Sequence, residues 1–200
     1  MSAVERLHGA VVFDRRVTVL ADRIAPLLPR NGRVLDIGAG DGTVATLLME
    51  RRPDVEIAGV DVLVRPETRI PVTEFDGLHA PFADGEFDAT LLVDVVHHAD
   101  DPHGLLREAR RLAAQRVVIK DHTADGVLAR PTLRFMDRVG NRRHGVALPY
   151  GYWTRREWDD ALAAAKLRVE SWNARLGLYP WPASLAFERS LHFVAALAPA

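Results

Sequence analysis

The sequence predicts an α/β fold built on a mostly parallel sheet. Three observations carry this. Short apolar runs of strand length alternate with stretches of helical periodicity between residues 13 and 122. The first run ends in a glycine-rich turn, VLDIGAGDGTVATLL, and passes directly into a helix-like pattern. Asp101 followed by Pro102 marks a helix start, with a capping acid and then a proline in the first turn.

Taken in order, Val17, Leu20, Ala21, Ile24, Leu27 and Leu28 fall at helical spacing and predict a first helix, stopped by Pro29, Asn31 and Gly32. RVLDIG is a buried strand and TVATLLMERR a helix. EIAGVDV and VTEFD are the second and third strands. FDATLLVDVV, the longest apolar run, reads as a central strand covered on both faces. GLLREARRLA continues the helix begun at Asp101, and RVVIKDH is a fifth strand. Right-handed crossovers would join these strands in parallel. Further on, RPTLRFMDRVGN predicts a helix opened by Pro131 and closed at Gly140-Asn141. Thr154 and Glu157 form a capping box ahead of Trp158, Ala161, Leu162 and Ala165. LRVESWNA and SLHFVAAL are two final strands able to pair antiparallel around a loop at Gly177 to Pro182.

The 200 residues are 48% hydrophobic with a net charge of −1, which suits one globular domain and gives no basic field for nucleic acid. Cysteine is absent, which excludes thiol catalysis and Cys-ligated zinc and fits a cytoplasmic setting. No apolar run approaches the roughly 20 residues needed to span a bilayer. His97-His98 with Asp100, Asp101 and His103 invites a metal reading. Adjacent residues seldom converge on one ion and no HExxH pair exists, so no metal is expected.

Gly38, Gly40 and Gly42 sit at the carboxyl end of the first strand, where open α/β sheets bind ligands. Asp61 ends the second strand about 20 residues later, the position from which a carboxylate meets a ribose diol. Asp76 and Gly77 follow the third strand and offer an acceptor and a donor to an adenine edge, with Val62 and Leu78 as apolar surfaces for the base. GAGDG lacks the spacing of the dinucleotide fingerprint, so no pyrophosphate is implied.

On VLDIGAGDGTVA, IAGVDV, EFDG, APFADGEFDATLLVDVVHHADDP and RVVIKDH, the chain resembles the class I S-adenosylmethionine-dependent methyltransferases, in particular the UbiE-like or methyltransferase-11-type members, over residues 33 to 122. The resemblance implies a Rossmann-like doubly wound sheet of seven strands with an antiparallel last strand. It implies that Asp36, Gly38, Ala39 and Gly40 hold the methionine part of S-adenosylmethionine, that Asp61 binds the ribose, that Asp76 and Gly77 bind the adenine, and that Asp94 flanks the amino group. Arg65-Pro66 after the second strand depart from the pattern.

The expected organisation is a single domain: a helical lid (1–30), a cofactor-binding core (31–122), a substrate-facing insertion (123–153) and a C-terminal helix with a strand pair (154–200). Methyl transfer needs a base only when the acceptor must lose a proton. His97, His98 and His122, beside the crevice, are the candidates, against the plain alternative of loop histidines capping backbone or lying in solvent. Arg134, Arg142, His144, Tyr150 and Tyr152 are candidates for binding a small-molecule acceptor, although an arginine run such as Arg134, Arg138 and Arg142 also reads as a solvated face. Trp158, Trp172 and Trp181 are expected to pack. A homodimer stays open. Two other functions use the same motifs: a nicotinamide-dependent oxidoreductase, disfavoured by the glycine spacing, by Asp76 and by the lack of a Tyr-x-x-x-Lys pair, and a non-catalytic cofactor-binding module.

Overall fold

The computed structural model describes residues 15–141 and 151–200. Seven strands form one sheet: β1 Arg33–Ile37, β2 Glu56–Asp61, β3 Val72–Glu74, β4 Phe87–Val93, β5 Ala113–His122, β6 Leu167–Asn173 and β7 His192–Pro199. Their order is β3-β2-β1-β4-β5-β7-β6. Every pairing from β3 to β5 is parallel, and β7 runs antiparallel to both β5 and β6. The order reverses at β1, with β2 on one side and β4 on the other. The crevice between their carboxyl ends is therefore the topological switch point, where such sheets bind ligands.

Residues 15–24 form α1, followed by α2 Thr43–Arg51, α3 Pro102–Leu112, α4 Ala129–Asn141, α5 Arg155–Ala164 and the short α6 Ser184–Phe187. Alternation along the strands divides the core. Leu35, Ile37, Leu92 and Ile119 face α3 and α5, whereas Val34, Leu91 and Val118 face α1 and α2. Each fully buried Leu or Ile contributes about 1.5–3 kcal/mol. Asp36 alternates with Val34 and so shares the α1 side.

The helix signals act as expected. The Asp101 carboxylate accepts the Gly104 amide at 2.8 Å with Pro102 in the first turn, and the capping box at Thr154 and Glu157 is closed in both directions. The end of α1 tightens into a 3-10 turn whose Ala25 and Leu28 carbonyls accept from the Arg52 guanidinium at 2.8 and 3.0 Å. Two expectations shift. α4 begins at Ala129, not Pro131, because proline in a first helical turn forgoes no needed hydrogen bond. Trp181 is 80% exposed, not packed, whereas Trp158 is buried and Trp172 stacks on Phe193 with centroids 3.8 Å apart. Among the described residues, no helix is long and apolar enough to cross a membrane.

Candidate functional site

The glycine loop is held by the neighbouring strand. The amides of Gly38 and Ala39 donate to the Val60 carbonyl at 2.8 and 3.2 Å. Gly38 has φ +77°, and a Cβ there would lie 2.5 Å from Val95 Cγ2. Gly40 also has positive φ, +59°, but a Cβ there would meet nothing within 4 Å. Gly38 is thus required by packing, while Gly40 keeps an open face. Asp61 Oδ2 accepts the Gly40 amide at 2.8 Å and its Oδ1 accepts the Leu63 amide at 3.0 Å.

Asp36 is only 3% exposed, and its Oδ1 has no hydrogen-bond partner among the described residues. Burial, aided by the Asp61 charge, pushes its carboxyl up to about 8. A buried carboxyl without a partner is costly unless something completes it. A cationic ligand lying along the open face at Gly40 would do so. Nearby, a cavity of about 200 Å³ between α1 and the loop is lined by residues including Arg16, Leu20, Ala39 and Asp94.

Past β3, Asp76 Oδ1 accepts the Leu78 and His79 amides at 2.8 and 2.6 Å, and these two bonds hold its carboxyl below the usual range. Gly77 has φ +88°, with Val62 beside it: a Cβ at Gly77 would lie 3.2 Å from Val62 Cγ1. Val62 is 59% exposed, an apolar surface left open next to a polar edge. These residues fit the adenosine part of the cofactor that the resemblance implies.

On the other side of the crevice lies a buried polar cluster. Asp94, at φ +58°, pairs with the Lys120 ammonium and with the Arg16 guanidinium at 3.2 Å. Burial would raise its carboxyl, but Lys120 and then Arg16 outweigh that and hold it well below the usual range. Lys120 is fully buried, which lowers its own pKa. His97 Nδ1 lies 2.6 Å from Asp121 Oδ1, and Asp121 also accepts the amides of Val96 and His122 at 3.1 and 2.8 Å. His122 sits at the end of β5 with Nδ1 3.2 Å from Asp121; burial and then Lys120 push it well below its ordinary value. The His97 and His98 rings lie 3.9 Å apart. From the insertion, the Tyr152 hydroxyl donates to Asp137 Oδ2, which is 3.6 Å from His97 Nε2.

The predicted residues thus form two neighbouring groups. Asp36, Gly38, Ala39, Gly40 and Asp61 meet at the switch point, with Val62, Asp76 and Gly77 beyond β2. Asp94, His97, His98, His122 and Tyr152 meet on the β4–β5 side. His97 and His122 are buried and His98 half-buried, so none is a solvated loop histidine. Tyr152 is buried and turned into the cluster. Arg134 is exposed on α4, as is Arg138. Arg142, His144 and Tyr150 lie outside the described residues. Three contributors were not expected: Arg16, Lys120 and Asp137. Lys120 had a signal, a lone cation inside an apolar run. So did Asp137, which follows Ala129 and Leu133 at four-residue steps on the buried face of α4.

A methyltransferase-domain family matches residues 13–171. The chain is 29% identical to 27-O-demethylrifamycin SV methyltransferase of Amycolatopsis mediterranei over 129 residues, 54% of this chain and 47% of that protein. It is 30% identical to malonyl-[acyl-carrier protein] O-methyltransferase of Geobacter sulfurreducens over 186 residues, 80% of this chain and 67% of that one. The chain therefore spans about half the length of the first relative, 47%, and more of the second. Among solved structures, a chain from the complex between the Haloferax volcanii Trm112 methyltransferase activator and its methyltransferase superposes with a TM-score of 0.68 at 16% identity. That match covers 93% of this chain and 91% of the other, and at that identity it speaks for the fold alone.

Proposed function

The chain belongs to the methyltransferase-domain family, and from that premise we propose that it is an S-adenosylmethionine-dependent methyltransferase acting on a small-molecule acceptor. The observation that carries this reading is Asp36: a buried carboxyl, one oxygen unpartnered among the described residues, beside an open glycine face and a second acid. A cofactor with a positive charge at one end and a ribose diol in its middle matches that donor set. When bound, S-adenosylmethionine supplies a methyl group already activated on a sulfonium.

The protein's own part is to bind and align. Asp36 would set a negative charge against the methionine end, supported by the loop amides of Gly38, Ala39 and Gly40. Asp61, already fixed by two amides, would accept from the ribose hydroxyls. Asp76 and Gly77 would meet the adenine edge with Val62 and Leu78 against its faces. Asp94 would flank the amino group, and Arg16 from α1 covers that end of the crevice. Acceptor selection would fall to residues 123–153, with Arg134, Arg142, His144, Tyr150 and Tyr152 as the proposed acceptor-binding residues; the support is that Asp137 and Tyr152 of this segment join the polar cluster beside the crevice. Of the three candidate histidines, His98 is the least buried and the one able to touch an acceptor. His97 and His122 would position it from behind.

The test is calorimetry with S-adenosylhomocysteine and, separately, NADH, followed by transfer of a labelled methyl group into pooled small metabolites. Binding of the sulfur compound with label transfer is expected. NADH binding without any response to S-adenosylhomocysteine would overturn the reading in favour of an oxidoreductase. Cofactor binding without label transfer to any acceptor would favour a non-catalytic binding module.

A further inference from the structure

His97, His98 and Asp137 bring three potential metal-ligand atoms together on the β4–β5 side. We propose that these three side chains bind one divalent transition-metal ion of the zinc type. Each offers one ligand atom, and these atoms lie within 4.8 Å of one another. The separation of His97 Nε2 from Asp137 Oδ2 is 3.6 Å. This is too long for a hydrogen bond. It is close to the edge of a tetrahedron around an ion with bonds of about 2.1 Å, roughly 3.4 Å.

A second observation points to a ligand. His97 is 2% exposed, yet its Nε2 has no hydrogen-bond partner among the described residues, and the buried Nδ1 of His98 has none either. The other nitrogen of His97 is fixed by Asp121 at 2.6 Å. That bond orients the ring and leaves Nε2 aimed at Asp137, the carboxylate–histidine arrangement that supports a metal ligand from behind. The Tyr152 hydroxyl donates to the same Asp137 Oδ2 and orients that carboxylate, whose second lone pair stays available to an ion.

A second set of donors, Asp94, His97, Asp121 and His122, is also close together. It is a poorer site. Asp94 is already matched by Lys120 and Arg16, and Asp121 by two amides and His97. A buried ammonium at Lys120 also repels a cation there. Arg16 reaches Asp137 by charge as well, so what favours the Asp137 set is that the His97 and His98 nitrogens there carry no hydrogen bond among the described residues. Two imidazoles and one carboxylate suit zinc, iron(II) or manganese over magnesium or calcium. The third donor, which spacing around His97 could not supply, comes from α4, some 40 residues further along the chain.

The proposal stands on the donor geometry and does not depend on the methyl-transfer reading; zinc and cofactor binding are measured separately. The full chain, stripped with EDTA, is titrated with zinc chloride by calorimetry and with cobalt chloride by visible absorption. One zinc per chain is expected, along with the d–d bands of low-coordinate cobalt and no competition from magnesium. His98→Gln and Asp137→Asn should each weaken zinc binding at least about tenfold, the lower end of what metal-site perturbation produces. Circular dichroism and S-adenosylhomocysteine binding check that both variants are folded. A folded wild-type chain that binds no stoichiometric zinc would overturn the proposal. So would unchanged zinc affinity in both variants.

Discussion

The Asp61 carboxylate accepts the Gly40 amide at 2.8 Å, tying the end of β2 to the glycine loop that follows β1. One side chain thereby fixes the loop and presents its acid at the switch point. Removing it should affect binding first. Asp61→Ala is expected to weaken S-adenosylhomocysteine binding by about 1.5–3 kcal/mol, the range for hydrogen bonds to a charged group. Isothermal calorimetry on the folded variant measures this, and an unchanged dissociation constant would remove Asp61 from the site.

Asp36 gives a pH dependence whose sign follows from its raised pKa. The folded protein keeps a proton to about 8 that an unfolded aspartate releases near 3.9. The folded state therefore binds more protons across that window. This contribution to the stability of the cofactor-free protein is fully present below about pH 4 and is lost as pH rises through about 8. Asp36→Asn should flatten that slope in denaturant titrations. A cationic cofactor favours the ionised carboxylate, so binding should release a proton and tighten as pH rises towards 8. Calorimetry in two buffers of different ionisation enthalpy reads the proton directly; no proton exchange in wild type would dissociate Asp36 from the cofactor charge.

Two glycines should separate folding from binding. Gly38→Ala places a methyl 2.5 Å from Val95 at positive φ, and is expected to destabilise by about 1–3 kcal/mol. Gly40→Ala meets no neighbour and carries only the left-handed backbone penalty, about 1–2 kcal/mol, yet it covers the open face and should lower cofactor affinity more than its effect on stability suggests. Thermal melts and calorimetry on both variants make the comparison. Equal loss of affinity and stability in the two would contradict it.

Lys120 offers a test of the buried pair. Lys120→Met leaves Asp94 paired with Arg16 alone and is expected to cost about 1–3 kcal/mol. Adding Asp94→Asn should recover part of that loss, because the carboxylate that lost its ammonium partner is then neutral. A double-mutant cycle in urea measures the coupling, and strictly additive losses would mean that the two charges do not stabilise one another.

The strands, their alternation with helices and the caps at Asp101 and Thr154 were legible because each is a local signal written in consecutive residues. The acids proposed for the cofactor could be named from the sequence because they stand at strand ends at fixed offsets from the glycines. The buried cluster was legible only in part. His97, His98 and His122 are near strand ends and could be named, but their partners come from α1 and α4, and no spacing rule links Arg16 or Asp137 to β4. The helical pattern of α4 invited attention to Arg134 and Arg138, its exposed face, whereas the residue that enters the cluster is the acid on the opposite face. Trp181 shows the converse limit: a large aromatic predicts burial by type, and only the loop's path places it outside.

The reversed direction of β7 has a practical consequence. His192 begins that strand opposite His122 at the ligand-bearing edge, and its far end lies beside the start of β6, where the Ala200 amide donates to the Lys166 carbonyl at 2.9 Å. A fluorophore or surface tether joined to the exposed Lys166 side chain at that rim would leave from the side opposite the crevice. Immobilised that way, the molecule would present its open edge outward, which suits surface-based measurement of cofactor, zinc and acceptor binding on one preparation.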